Sequence, residues 1–276
     1  MKGGSGIERL DGWVTLQAAR RPDSTAVMLG DDRLTCGELE ALANRLARCL
    51  IEGGCRRGDR IAVLMPKTPV AIAAIVAIYK AGAIYVPLDP AGPATRLALI
   101  LRSCEPRWIL AAGPVAQLLD DLLDDESARD AVRVGWLGSE PPQAGNFQAD
   151  FTGSDLQRFP DAAVDIPTSR HDAAHILFTS GSTGTPKGVV ITHSNVLHFV
   201  EWAVRYFAMA PEDRISGHSP LFFDLSVLDI FGAFAAGGEL HLVPPDLNIL
   251  PHKLAEFIRR SALTQWFSVP SVLNYM

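Results

Sequence analysis

Several classes of protein are excluded by what this chain has little of. Cysteine is scarce, four in 276 residues, and Cys36, Cys49, Cys55 and Cys104 form no CxxC pair and have no histidines at metal-ligand spacing. That excludes a disulfide scaffold and argues against a zinc site or a dithiol redox motif, leaving four reduced thiols in the core or at the surface. Basic residues never cluster, and 25 Lys and Arg stand against 31 Asp and Glu for a net charge of −6. The chain therefore carries no electrostatic footprint for nucleic acid. The longest apolar run, residues 70–79, is broken by Lys80 and falls well short of the roughly 20 residues a membrane helix needs. It reads as a buried helix. The opening MKGGSGIERLDGW has no apolar stretch after its early lysine, so no secretory leader is expected. Repeats and low-complexity tracts are missing too. The expectation is a cytoplasmic protein acting on small molecules, with no resident metal and no nucleic-acid or membrane partner.

What is present is enough apolar material, 48% of the residues, to bury one large or two modest α/β lobes. Thr35 and Glu38 have capping-box spacing ahead of Leu39, Leu42, Leu46 and Leu50 on one helical face, and Gly53-Gly54 stops that helix. A strand at 60–65, a helix at 70–80 introduced by Pro66 and Pro69, a strand at 83–86, a helix at 95–103 and a strand at 108–111 follow. This β-α-β rhythm predicts a mostly parallel sheet. Residues 138–172 change character, with Pro141, Pro142, Pro160 and Pro167 among Gly, Ser and Asp. They read as a surface connection between lobes spanning 1–137 and 173–276. The second lobe is expected to run strand 189–192, helix 195–207, strand 214–218, helix 226–236, strand 239–243, helix 252–261 and strand 265–269, ending on a helical start at Pro270 that breaks off at Met276.

The richest segment is HILFTSGSTGTPKGVVITHSN, residues 175–195. Ile176, Leu177 and Phe178 read as the end of a buried strand. Gly181, Gly184 and Gly188 let the backbone turn and bring N–H groups close to an anion. Thr179, Ser180, Ser182, Thr183 and Thr185 add hydroxyl donors, and Lys187 adds a point charge suited to phosphate. An ordinary nucleotide-hydrolase loop needs a glycine, four residues, then Gly-Lys-Ser/Thr. Counted from Gly181, that register puts Pro186 where the second glycine belongs, and Gly188 rather than a hydroxyl residue follows Lys187. The loop is a phosphate binder of another kind.

The string TSGSTGTPKGV, residues 179–189, resembles the phosphate-loop signature of the adenylate-forming superfamily, which includes nonribosomal-peptide adenylation domains and acyl-CoA synthetases. LTCGELEALANRLA, residues 34–47, and YKAGAIYVPLDP, residues 79–90, are similar to the first two core motifs of amino-acid adenylation domains and stand in the same order. PLFFDLSVLDIFGAFAAGGELHLVPP, residues 220–245, resembles the fourth, where an aspartate after an aromatic residue pairs with the substrate's α-ammonium group. Here that aspartate is Asp224 and the aromatic is Phe223, an aromatic gate near the nucleotide by the same analogy. Leu225 and Leu228 fall at side-chain pocket positions, and both being apolar suggests a small or aliphatic substrate. A carboxylate there could also cap the following helix, which does not explain the match of the surrounding residues. Other residues read as structural: His218 as the cap of a strand end, Asp229 as a helix-surface carboxylate, Glu239 as a turn residue, and His193, His198 and Trp202 as packing.

The resemblance implies an α/β fold, an incomplete adenylate-forming large domain with two mostly parallel, helix-flanked sheet lobes. It also implies ATP with Mg²⁺, and activation of an amino-acid carboxylate to an aminoacyl-adenylate with release of pyrophosphate. Lys187 and the loop hydroxyls would serve the departing phosphates. A carrier protein with a phosphopantetheine arm would be one partner, and a complementary C-terminal chain another. Family members continue into a Tyr-Gly-Pro-Thr-Glu run, a ribose-gripping aspartate, a hinge and a small C-terminal domain with an adenylation lysine, none of which occurs in these residues. The chain is expected to be inefficient by itself, with an apolar face left open near its C-terminus. A fatty-acyl or aryl-acid CoA ligase fragment is the alternative within the family, and a non-catalytic interaction module the alternative outside it.

Overall fold

The computed structural model describes residues 6–124, 132–138, 147–180 and 185–275. It divides into two compact units, one made of residues 1–40, 67–72 and 194–276, the other of 41–66 and 73–193.

The second unit is built on a seven-stranded sheet in the order β7-β6-β5-β3-β4-β8-β9. Its strands are β3 (Arg60–Leu64), β4 (Ile84–Pro87), β5 (Trp108–Ala111), β6 (Arg133–Trp136), β7 (Phe151–Thr152), β8 (Ala173–Ser180) and β9 (Pro186–Thr192). Every neighbouring pair is parallel except β8 with β9. Parallel strands need cover on both faces and read as continuous apolar runs, as β5 does with Trp-Ile-Leu-Ala wholly buried. Helices α4 (Ala94–Cys104) and α5 (Ala116–Leu122) supply part of that cover, placing Leu97, Ile100, Leu119 and Leu122 in one cluster with Ala62, Leu64, Val86, Ile109 and Val134. Helix α3 (Pro69–Lys80) is apolar all round, and its residues from Ala71 to Tyr79 are buried throughout, as such a helix must be. Gly135 in β6 is dictated by packing. A Cβ there would stand 2.7 Å from Leu110 Cδ2 and closer still to the Phe151 ring.

The first unit has a four-stranded sheet in the order β10-β11-β1-β2, from β1 (Thr25–Leu29), β2 (Asp32–Thr35), β10 (Arg214–Gly217) and β11 (Glu239–Leu242). β10 pairs with β11 and β11 with β1 in parallel, while β1 and β2 form a hairpin. Among the described residues this unit holds α1 (Asp11–Arg20), α7 (Ser226–Ala236), α8 (Pro251–Arg260) and α9 (Pro270–Tyr275), while α6 (His193–Tyr206) enters it from Ser194 onward. Gln17 of α1 donates from Nε2 to the Phe234 carbonyl of α7 at 3.0 Å in the core. α7 ends where Gly237 takes φ +79° and returns its N–H to Ala233, a left-handed cap that glycine adopts without penalty. The two mostly parallel, helix-flanked sheets are thus those expected. α2 (Cys36–Glu52) also starts as its sequence directs. Thr35 N–H bonds Glu38 Oε2 at 2.8 Å while Glu38 N–H bonds Thr35 Oγ1 at 3.2 Å.

Three expectations are corrected. Residues 265–269 do not form a strand. Only Gln265 bridges to Ile215, after which Trp266 and Phe267 turn to line a cavity. The stretch 138–172 is not merely a connection, because β7 joins the sheet there and a 3₁₀ turn, Gly153–Arg158, follows with its own Thr152–Asp155 capping box. Ile176, Leu177 and Phe178 are half-buried rather than buried, lying in β8 beside the edge strand β9.

Candidate functional site

The candidate phosphate-binding segment runs from the end of β8 into the start of β9, two antiparallel neighbours. Its register pairs Thr179 with Lys187, Ser180 with Pro186 and Phe178 with Gly188. A Cβ on Gly188 would come within 2.8 Å of Ile176 Cγ2 and 3.1 Å of Phe178 Cζ, so this glycine makes room for its cross-strand neighbours. Gly181, Ser182, Thr183 and Gly184 lie outside the described residues. Thr179, Thr185 and Lys187 are exposed at the strand ends that lead into them. The lysine ammonium has no hydrogen-bond or ion-pair partner among the described residues, a solvated cation beside hydroxyl donors, which is the donor set a phosphate group requires.

The other end of this strand pair is fastened. His193 N–H reaches the Asp172 carbonyl at 3.1 Å, and Arg57 holds the Asp172 carboxylate through two nitrogens, at 2.9 and 2.6 Å. The guanidinium keeps the Asp172 carboxyl below its usual range. Buried His175 in β8 shares a 3.3 Å hydrogen bond with the Tyr79 hydroxyl, and burial, then the nearby His193, pushes its pKa down to about 4. His193 is buried with its ring edge-on to Tyr79, 5.1 Å between centroids, so packing does account for it. His198 and Trp202 are exposed, and Trp202 stacks on Tyr206 at 5.1 Å. Packing into a core therefore does not account for those two.

The candidate substrate segment joins β10 to α7. Pro220 O accepts the Phe223 N–H at 3.0 Å, and Ser226 Oγ donates to Phe223 O at 2.7 Å and Leu221 O at 3.3 Å, making two tight turns in succession. These present Phe223, 52% exposed, and Asp224, also exposed, while Leu225 is half-buried and Leu228 buried. Asp224 does not cap the helix. The N-cap position is Leu225, with no side-chain cap bond, and the Asp224 carboxylate has no partner among the described residues. Leu228 lines a cavity of about 50 Å³ with Phe207, Met209, Ile215, Trp266 and Phe267, and two polar side chains, Asp229 and Gln265, also reach it.

Asp229 is the residue that sequence reading misplaced. It is 1% exposed, not a surface carboxylate, because α7 is apolar on every face and buried along most of its length. That all-round apolarity was the signal available, since a lone charge on such a helix has no wet face to occupy. One oxygen accepts Ser219 N–H at 3.1 Å, while the other has no partner among the described residues. Burial pushes its pKa up to about 7 against the Ser219 N–H bond and the Lys67 charge. Lys67, wholly unanticipated, is buried, with its ammonium on the carbonyls of Gly217, His218 at 2.8 Å and Ser219 at 3.3 Å. Burial lowers it to about 8, opposed by Asp229. His218 follows β10 as expected, with its ring 4.9 Å from that of Trp266. Burial, then Lys67, lowers its pKa. Glu239 opens β11 rather than a turn, and its carboxylate meets His241 at 3.0 Å and Arg214 at 3.5 Å.

The profile of a family described as AMP-binding enzyme matches residues 14–276. An L-proline--[L-prolyl-carrier protein] ligase of Streptomyces coelicolor is 39% identical over 98% of this chain and 50% of its own length. A protein of the same name from Pseudomonas fluorescens is 37% identical over 94% of this chain and 49% of its own. Among solved structures, the nonribosomal peptide synthetase FmoA3 with AMPPNP bound superposes with a TM-score of 0.80 at 32% identity, covering 99% of this chain and 27% of that one. The chain thus spans about half the length of the two ligases it matches. No described helix is long and apolar enough to cross a membrane.

Proposed function

The chain belongs to the AMP-binding enzyme family, and from that premise we propose that the protein activates the carboxylate of a compact aliphatic amino acid as its adenylate. A carboxylate oxygen attacks the α-phosphorus of ATP, the bond from that phosphorus to the bridging oxygen breaks, and pyrophosphate leaves with the electron pair. The observation that carries the amino-acid reading is Asp224. It is a carboxylate held out on a hydrogen-bonded turn, unpaired among the described residues, four residues ahead of a leucine that faces a small, largely apolar cavity. An α-ammonium group supplies the missing counter-charge, with Leu225 and Leu228 beside the side chain and Phe223 as an aromatic gate. L-proline is the first candidate substrate. It is compact and aliphatic, and it is the amino acid in the names of the two ligases. A carrier protein is the proposed acceptor on the same ground.

Lys187, with the hydroxyls of Thr179 and Thr185 and those of the intervening loop, would neutralise the charge that grows on the departing phosphates. Their exposure and the unpaired ammonium fit a phosphate group. Mg²⁺ would accompany ATP. Among the described residues no three His, Cys, Asp or Glu are grouped to hold a metal, so no step is assigned to the ion. The test is ATP–pyrophosphate exchange by the gene product that carries this chain, with a panel of amino, fatty and aryl acids. Exchange that depends on an amino acid, strongest with L-proline or another compact aliphatic one, is expected. Exchange with fatty or aryl acids and with no amino acid would overturn the reading.

A further inference from the structure

The turn that displays Asp224 is held at its start by a buried cation whose hydrogen bonds, among the described residues, go to backbone carbonyls. Lys67 lies in the sequence Pro66-Lys67-Thr68-Pro69, and its ammonium donates to three consecutive carbonyls, those of Gly217, His218 and Ser219. An ammonium has three protons and no acceptor capacity, so its hydrogen bonding is spent on backbone and none is left for a ligand. The His218–Ser219 peptide group is held at both ends, its carbonyl by Lys67 and its N–H by Asp229. At the far end of the turn Ser226 Oγ grips Leu221 O and Phe223 O. Between these anchors the Asp224 side chain has no bond among the described residues, so its position is set by the backbone that Lys67, Asp229 and Ser226 fasten.

A buried cation is a costly way to tie a chain unless no neutral residue can do the same work. Three carbonyls converging on one point need several donors from one side chain, and an apolar residue of equal volume would leave those not otherwise bonded without a partner. We propose that Lys67 is a positioning residue for the substrate turn, residues 219–225, fixing where Phe223, Asp224 and Leu225 stand and so setting the affinity for the amino acid without touching it. The proposal deepens the reading of Asp224 as the ammonium partner and rests on it.

The experiment compares Lys67→Met, Lys67→Gln and Lys67→Arg in the full gene product by two measurements. One is amide hydrogen exchange of peptides spanning 217–226; the other is amino-acid-dependent ATP–pyrophosphate exchange. Lys67→Met should quicken exchange in those peptides while leaving β1 and β2 unchanged. It should also raise the KM for the amino acid at least tenfold, with the KM for ATP within twofold and kcat within threefold. Lys67→Arg, which keeps a fork of donors, should restore both to within threefold, and Lys67→Gln should fall between. If Lys67→Met does not fold, the Gln and Arg variants decide the matter by the same order. Unchanged amide exchange in 217–226, or faster amide exchange with no change in the amino-acid KM, overturns the proposal. If the wild-type protein activates only acids that lack an ammonium, the functional reading has failed instead, and amide exchange alone then decides whether Lys67 fastens the turn.

Discussion

Replacing Asp229 with asparagine should change how the protein's stability depends on pH, and the direction follows from its burial. The carboxyl titrates near 7 in the folded protein against an ordinary value of 3.8. From about pH 4 to pH 7 the unfolded chain therefore gives up this proton while the folded chain keeps it. The folded state binds more protons across that window, so this group makes stability fall as pH rises, with the loss complete above 7. A difference of about three between the two pKa values, at ~1.36 kcal/mol each, sets an upper limit of about 4 kcal/mol. Lys67 acts at higher pH. Its ammonium titrates near 8 against an ordinary 10.5, so the unfolded state holds the proton longer and stability is regained between 8 and 10.5. The pair together contributes a trough at pH 7 to 8. Asp229→Asn keeps an oxygen for Ser219 N–H and removes the acidic limb. Urea denaturation at pH 4.5, 6 and 7.5 should show the mutant gaining on wild type by about 2–4 kcal/mol across that range. Asp155 and Asp172, whose carboxyls are held below their usual range, are present in both proteins and cancel. A mutant-minus-wild-type difference constant to within ~0.5 kcal/mol from pH 4.5 to 7.5, the scatter of an ordinary surface change, would refute the reasoning.

Much of the fold could be read from local signals because those signals are local in cause. The Thr35–Glu38 capping box, the apolar run of α3 between Pro69 and Gly82, and the start and end of α7 depend on neighbours within four residues, and the structure has each of them. The β1–β2 hairpin was equally legible and went unread. A two-residue turn, Gly30-Asp31, joins Ala-Val-Met-Leu to Asp-Arg-Leu-Thr, a glycine-first pair of the kind that marks such turns. At the candidate site, the turn carrying Phe223 and Asp224 and the strand start carrying Lys187 are local too, because Pro220, Ser226 and the cross-strand register are part of the same short segments. The anchors could not be read this way. Lys67 meets carbonyls 150 to 152 residues further on. Between two prolines it has no periodic neighbour to reveal whether it faces water or core. Trp266 and Phe267 failed for the converse reason. Their apolar pattern suits a strand, yet one bridge at Gln265 is all that forms before the rings are drawn to the cavity beside Leu228.

Three further outcomes are expected. Gly135→Ala should destabilise the protein by about 1–3 kcal/mol, the usual cost of overpacking, because its Cβ would collide with Leu110 and Phe151; an unchanged urea midpoint would show that β6 relaxes freely. Lys187→Ala should leave stability within about 0.5 kcal/mol, since the side chain is exposed, yet weaken ATP binding about 10- to 150-fold by removing a charge-assisted contact; equal ATP affinity by calorimetry would remove Lys187 from the phosphate site. Asp224→Ala separates the two halves of the functional argument, because its carboxylate is exposed and unbonded among the described residues, so folding should lose nothing measurable. In the complex with substrate the same deletion strands an ammonium group, a loss of about 3–5 kcal/mol for a desolvated charge. The kcat/KM for amino-acid-dependent exchange should therefore fall by about 10²–10⁴-fold at unchanged stability. A fall of less than threefold would mean that the ammonium group is met by some other residue and that Asp224 is an ordinary surface carboxylate.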